Sequence, residues 1–182
     1  NIDLLRAFST ECGYAVDELP AQLIEQAAIS STKIRHAIAN GDIDTANAMM
    51  ERSYLLSGIV IEGNKLGRTI DYPTANLKVS DEDQLIPANG VYACIANVSG
   101  MSYKAMVNIG YRPTVTDEKQ LNIEAHILDF AQDIYGQNLS LNFIKKMRNE
   151  ERFPSLDALK AQLAQDKINT HTALKNTTNW VL

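Results

Sequence analysis

Cysteine is scarce: Cys12 and Cys94 are the only two in 182 residues. Two thiols cannot build a disulfide framework or a cysteine zinc site, and a reducing, cytoplasmic setting is the default for such a chain. Positive charge is also in short supply. Lys and Arg total 17 against 22 Asp and Glu, a formal net charge of −5. Binding a nucleic-acid polymer needs a basic stripe that displaces counterions, and none is present, so that partner class is excluded. No apolar run approaches the ~20 residues needed to span a bilayer, and no basic-then-apolar leader opens the chain, so no membrane partner is expected. Disorder is excluded from the other side, since 45% of the residues are hydrophobic and 21% charged, an ordinary globular balance. There is no methionine at the start either. The chain opens on Asn1, which is expected of a piece of something longer.

What is present changes character near Ser53. Before it the pattern is helical: Leu4, Leu5 and Phe8 share a face, and Gly13-Tyr14 breaks the run. Ser30 and Ser31 suit a helix start, where a serine oxygen accepts from an orphan backbone N–H. Ile34, Ala37 and Ile38 then form a stripe that Asn40-Gly41 ends, and Asp42 caps a second short helix carrying Ala46, Met49 and Met50. From Tyr54 the period falls towards 2. Leu55 to Ile61 reads as a strand, and Val91–Val98 with Tyr103–Ile109 as a hairpin turning at Ser99-Gly100. Asn122–Phe130 and Leu139–Met147 are expected to form a further pair joined across residues 133–138. Short strands without intervening helices favour an antiparallel barrel or sandwich over a doubly wound sheet. Ser155 caps a last helix whose Leu156, Leu159 and Leu163 share one face and cover one side of the barrel.

Three stretches carry residues suited to chemistry. Gly63-Asn64-Lys65-Leu66-Gly67-Arg68 follows a strand, and its glycines and cations could close around phosphate. It is not a Walker A loop, because Asn64-Lys65-Leu66 stands where Lys-Ser or Lys-Thr is required; taken alone, such a loop is most often a turn. Pro73-Thr74-Ala75-Asn76 also reads, taken alone, as a proline-led turn. On extended chain, however, Thr74 and Asn76 point the same way and offer the hard oxygens that suit magnesium on nucleotide phosphates. In the third stretch, Asn122, Glu124 and His126 share one strand face and Ile123, Ala125 and Ile127 the core face. An exposed strand face explains the first set most simply, and a general-base carboxylate is the functional alternative. His36 and His171 are expected on helix surfaces, and Cys94 in a buried strand.

The ordered set of these motifs is specific. Ile29-Ser30-Ser31-Thr32-Lys33-Ile34-Arg35, Gly41-Asp42, Gly67-Arg68, Pro73-Thr74-Ala75-Asn76-Leu77 and Gly90-Val91-Tyr92 come first. Asn108-Ile109-Gly110-Tyr111-Arg112-Pro113-Thr114, Glu124-Ala125-His126, Asp129-Phe130, Tyr135-Gly136 and Arg148-Asn149-Glu150 follow. Together they resemble the C-terminal riboflavin kinase module of bacterial bifunctional riboflavin kinase/FMN adenylyltransferases. The resemblance implies a six-stranded antiparallel Greek-key barrel with a C-terminal helix over residues 53–182. It makes residues 1–52 a helical remnant of the α/β nucleotidyltransferase module. It also implies the reaction ATP + riboflavin → FMN + ADP. Thr74 and Asn76 would then engage magnesium and ATP phosphates; Gly63, Lys65, Gly67 and Arg68 would form the loop over the nucleotide; Glu124 would be the base and Arg148 a flavin contact. Ser30, Ser31 and Arg35 would be a remnant of the adenylyltransferase nucleotide site, whose main part with its His-x-Gly-His motif is absent, so this chain is not expected to make FAD.

One position departs from the family pattern. Asp71 stands where glycine is common, ahead of Tyr72, and its charge could repel ATP or reach magnesium through water. It keeps a second reading open, a flavin- or nucleotide-binding regulatory module with impaired catalysis. A third, an oligonucleotide-binding barrel, is disfavoured by the acidic charge.

Overall fold

The computed structural model describes residues 2–17, 23–24, 27–28, 30–63, 67, 70–112 and 120–175. Trp180, Lys65 and Arg68 lie outside the described residues. The N-terminal part is helical, as its 3.6-residue periodicity requires. Helix α1 (Ile2–Cys12) ends at Gly13, and a two-residue ladder pairs β1 (Leu23–Ile24) with β2 (Ala27–Ala28). Helix α2 (Ser31–Asn40) starts where the Ser30 hydroxyl accepts from the Lys33 N–H and stops at Gly41, which takes φ +76°, a region open to glycine at no steric cost. Asp42 caps α3 (Ile43–Met50) by accepting from the Thr45 N–H.

Six strands close into an antiparallel barrel: β3 (Tyr54–Ile61), β4 (Ala75–Val79), β5 (Gly90–Val98), β6 (Met101–Arg112), β7 (Gln120–Ile127) and β8 (Asn138–Arg148). The order around the barrel is β3-β4-β7-β6-β5-β8. Strands β5, β6 and β7 follow one another and β8 returns beside β5, which is the Greek-key arrangement. The β5–β6 hairpin turns at Ser99-Gly100, both at positive φ, the geometry whose twist matches the flanking strands. Alternate residues such as Leu56, Val60, Tyr92, Val107, Ala125, Leu141 and Phe143 fill the interior.

Two expectations need correction. Strands β7 and β8 are not partners: β7 pairs with β4 and β6, and β8 with β3 and β5. The connection between them crosses the barrel end, buries Ile134, and exchanges backbone bonds with Val60 through the Gly136 N–H and the Gln137 carbonyl. Alternation reveals that a strand exists but carries no information about its neighbour. Residues 73–76 are also not simply a turn, since Ala75 and Asn76 already belong to β4 and pair with Ala125 and Glu124.

Helix α4 (Leu156–Ala173), capped by Ser155, covers Ala93 and Ile95 on the barrel exterior with Ala173 and the following Leu174. The α2–α3 pair is fastened to the barrel as well. The Asn47 side chain donates to the Phe143 carbonyl at 2.8 Å and accepts from the Tyr54 N–H at 2.7 Å, while Ile43 joins the barrel core. Cys94 is buried and Cys12 exposed, and neither is bridged. Among the described residues no helix is long and apolar enough to cross a membrane.

Candidate active site

The barrel wall between β4 and β7 separates two cavities. One, of about 600 Å³, is bordered by Pro73, Thr74, Ala75, Ala125, Ile127 and the connecting segment from Phe130 to Tyr135. The other, of about 420 Å³, lies between the barrel exterior and α4 and is bordered by Asn76, Glu124, His126, Arg148, Phe153 and Leu163 among others. The strand pleat produces this division, since Ala125 and Ile127 face one way and Glu124 and His126 the other. Thr74, just before β4, borders both cavities.

The residues singled out in the sequence meet at that junction. The Thr74 hydroxyl donates to Glu124 Oε2 at 3.1 Å, and the Asn122 amide donates to Glu124 Oε1 at 2.6 Å. Asn76 pairs in register with Glu124 and is buried, with only 5% of its surface exposed. Gly63 packs against it so closely that a Cβ there would come within 2.0 Å of the Asn76 amide nitrogen. At Gly67 an added Cβ would stand 2.1 Å from the Tyr72 carbonyl oxygen. The two glycines of the loop are therefore sites of close backbone approach. The oxygens of Thr74 and Asn76, beside the Glu124 carboxylate, suit a small hard cation that keeps most of its shell as water and phosphate. Among the described residues no group of three His, Cys, Asp or Glu gathers to hold a metal by itself.

His126 sits two residues beyond Glu124 on the same face, its Nδ1 2.8 Å from the Pro73 carbonyl oxygen. Burial holds its imidazole below the ordinary 6.5 and Lys167 acts in the same direction, while the Pro73 carbonyl and Asp129 oppose them.

Arg148 borders the second cavity, but its guanidinium is already engaged. Its Nε and one terminal nitrogen grip the Asp166 carboxylate at 2.8–3.1 Å, another donates to the Asn149 carbonyl, and the group lies 5.6 Å from the Phe153 ring centre. Ser30 serves as the α2 cap, and Ser31 and Arg35 are exposed on α2, outside both cavities. Sequence reading missed three contributors. Asn108 lies across the ladder from Glu124, Phe130 to Tyr135 wall the larger cavity, and Asp166 anchors Arg148. Asn108 and Asp129-Phe130 stood within quoted motifs, but nothing in the sequence marked Asp166, one acidic residue on a polar helix.

The site is thus a carboxylate, hydroxyl and amide set between two cavities of a closed Greek-key barrel; the class of protein it belongs to, a phosphotransferase domain, comes from the family match. The Flavokinase family (riboflavin kinase) matches residues 50–174. The bifunctional riboflavin kinase/FMN adenylyltransferase of Haemophilus influenzae is 42% identical over 167 residues, covering 91% of this chain and 53% of that protein. Its Bacillus subtilis counterpart is 40% identical over 141 residues, covering 76% and 44%. Among solved structures, riboflavin kinase from Trypanosoma brucei superposes with a TM-score of 0.51 at 26% identity, over 69% of this chain and 82% of that one. A Streptococcus pneumoniae structure described as a macrolide-efflux protein superposes with a TM-score of 0.83 at 34% identity, over 99% of this chain and 55% of that one. The chain belongs to the riboflavin kinase family, whose reaction is ATP-dependent phosphotransfer to riboflavin. It spans about half the length of the curated relatives it matches.

Proposed function

We propose that this chain transfers the γ-phosphoryl group of ATP to the riboflavin 5′-hydroxyl across the junction at Thr74. The observation that carries the reading is that Thr74, hydrogen-bonded to Glu124, borders both cavities, so substrates on either side would meet beside a base. ATP would occupy the cavity walled by Phe130 to Tyr135, with Gly63, Lys65, Gly67 and Arg68 as its phosphate loop; of these, Gly67 borders the second cavity. Riboflavin would lie between the barrel and α4, with its 5′-hydroxyl towards Glu124. The Glu124 carboxylate accepts the hydroxyl proton as the oxygen–phosphorus bond forms. The bond from the γ-phosphorus to the β,γ-bridging oxygen breaks and ADP leaves with that electron pair. Phosphoryl transfer asks chiefly for positioning and charge neutralisation, which hold the two substrates in line. Thr74 and Asn76 would hold magnesium with the nucleotide, and magnesium supplies neutralisation of the phosphate charge. Arg148 would touch the flavin only with donors that Asp166 leaves open.

The parent of this chain would also adenylylate FMN to FAD, with residues 1–52 belonging to that second module and Ser30, Ser31 and Arg35 to its nucleotide site. A cytoplasmic setting fits the two free thiols. The purified chain with ATP, magnesium and riboflavin is expected to form FMN, read by chromatography with fluorescence detection. A folded sample giving no FMN above a no-enzyme blank sinks the reading.

Asp71 borders the nucleotide cavity at φ +65°, the left-handed region that glycine enters freely and other residues at a cost of ~1 kcal/mol. Asp71→Gly is expected to lower the KM for ATP severalfold by removing a carboxylate beside the phosphates, with stability changed by less than about 1 kcal/mol. An unchanged KM would show that Asp71 does not face the nucleotide.

A further inference from the structure

The ladder between β4 and β7 ends early. Ala75 opposes Ala125 and Asn76 opposes Glu124, and β4 begins at Ala75. Pro73 cannot carry the ladder further because it has no N–H. Its carbonyl is met instead by a side chain, His126 Nδ1, at 2.8 Å. A carbonyl only accepts, so Nδ1 carries the proton, and in the neutral ring Nε2 holds the lone pair. The imidazole also packs tilted against Tyr72, with ring centres 5.1 Å apart. Tyr72 in turn donates its N–H to the Gly67 carbonyl at 2.8 Å. One side chain thus holds both residues that lead into Thr74, at the point where backbone pairing gives out.

We propose that His126 is a positioning residue for phosphoryl transfer, clamping the Pro73 carbonyl through Nδ1–H and so fixing where Thr74 and Asn76 stand towards the nucleotide phosphates. This rests on the kinase reading above. The base role stays with Glu124, the carboxylate that Thr74 contacts; the contact that the geometry fixes for His126 is Nδ1 on the Pro73 carbonyl. The charged groups around it are Glu124 and Asp129 from its own strand and turn, Lys167 from α4, and Arg148, Glu150, Glu151 and Asp166 around the same cavity. Because Nδ1 is already protonated in the neutral ring, acid titration at Nε2 leaves the clamp in place. The tautomer and the hydrogen bond are therefore what a test must read.

Asparagine places an amide N–H near the position of Nδ1, whereas leucine fills similar space without a donor. His126→Leu is expected to lower kcat/KM for ATP about tenfold, the scale of one lost hydrogen bond that orients a reacting group, with the KM for riboflavin moving less. His126→Asn is expected to restore activity to within about threefold of wild type. In long-range ¹H–¹⁵N spectra of the wild-type chain, which has three histidines, the imidazole missing from the His126→Asn spectrum should show the Nδ1-protonated pattern. That measurement needs neither turnover nor a well-folded leucine variant. An Nε2-protonated pattern overturns the clamp, as does His126→Leu turning over ATP like wild type, or His126→Asn as impaired as the leucine variant. Wild type forming no FMN overturns the kinase reading, and with it the catalytic part of this proposal. Wild-type turnover with an unaffected leucine variant overturns this proposal alone.

Discussion

Glu124→Gln is expected to cut kcat by about 10²–10⁴, the usual worth of a positioned general base, while the KM values for ATP and riboflavin stay within about threefold of wild type. Glutamine has the same reach and volume. Its oxygen can still accept from the Asn122 amide, now at 2.6 Å, and its NH₂ can donate to the Thr74 hydroxyl, now 3.1 Å from the carboxylate. These two contacts of the β4–β7 wall are therefore kept, while the negative charge and with it the capacity to take a proton disappear. Tenfold in rate corresponds to about 1.4 kcal/mol, so the expected loss is roughly 2.7–5.5 kcal/mol of transition-state stabilisation with little change in binding. Steady-state kinetics with continuous detection of ADP would measure it. A kcat within about threefold of wild type removes Glu124 from the base role, leaving positioning and charge neutralisation to account for the rate.

The fold was readable wherever one strand or helix carried its own signal. Ser30, Asp42 and Ser155 are capping residues because each offers a short side-chain oxygen ahead of an apolar stripe, and each caps its helix as expected. Ser99-Gly100 marked the hairpin because both positions need positive φ. What could not be read was pairing between distant strands. The β7 alternation fits any neighbour, and its pairing with β4 rather than β8 depends on contacts between segments far apart in the chain. The candidate site divides the same way. Glu124, Thr74 and Asn76 stood out by type and spacing, yet that they meet across a wall with a cavity on each side follows from register alone. Arg148 shows the opposite case. Its motif pointed at the flavin, whereas its strongest partner is Asp166, 18 residues on, which no local pattern marks.

That partner makes Arg148→Met the variant with the largest expected loss of stability in the site. Asp166 is 1% exposed and is held by two guanidinium nitrogens at 2.8–3.1 Å and by the Gln162 amide at 2.8 Å. Removing the guanidinium leaves a buried carboxylate with one neutral donor. Breaking one side of such a pair typically costs about 3–5 kcal/mol, and the lower end applies because Arg148 keeps 17% of its side chain exposed. With a urea slope of about 2 kcal/mol/M, the denaturation midpoint should fall by roughly 1.5 M. The double variant Arg148→Met/Asp166→Leu removes both charges from the junction of β8 and α4. It is expected to recover most of the loss, since a buried ion pair and an apolar pair of similar volume are often equivalent. The same pair of variants separates the two roles of Arg148. If the guanidinium only fastens α4 to the barrel, the KM for riboflavin should return towards wild type together with stability in the double variant. If it also touches the flavin, stability returns and the riboflavin KM stays raised. A single variant as stable as wild type would mean that Asp166 tolerates burial without the arginine, and the anchoring role would fall.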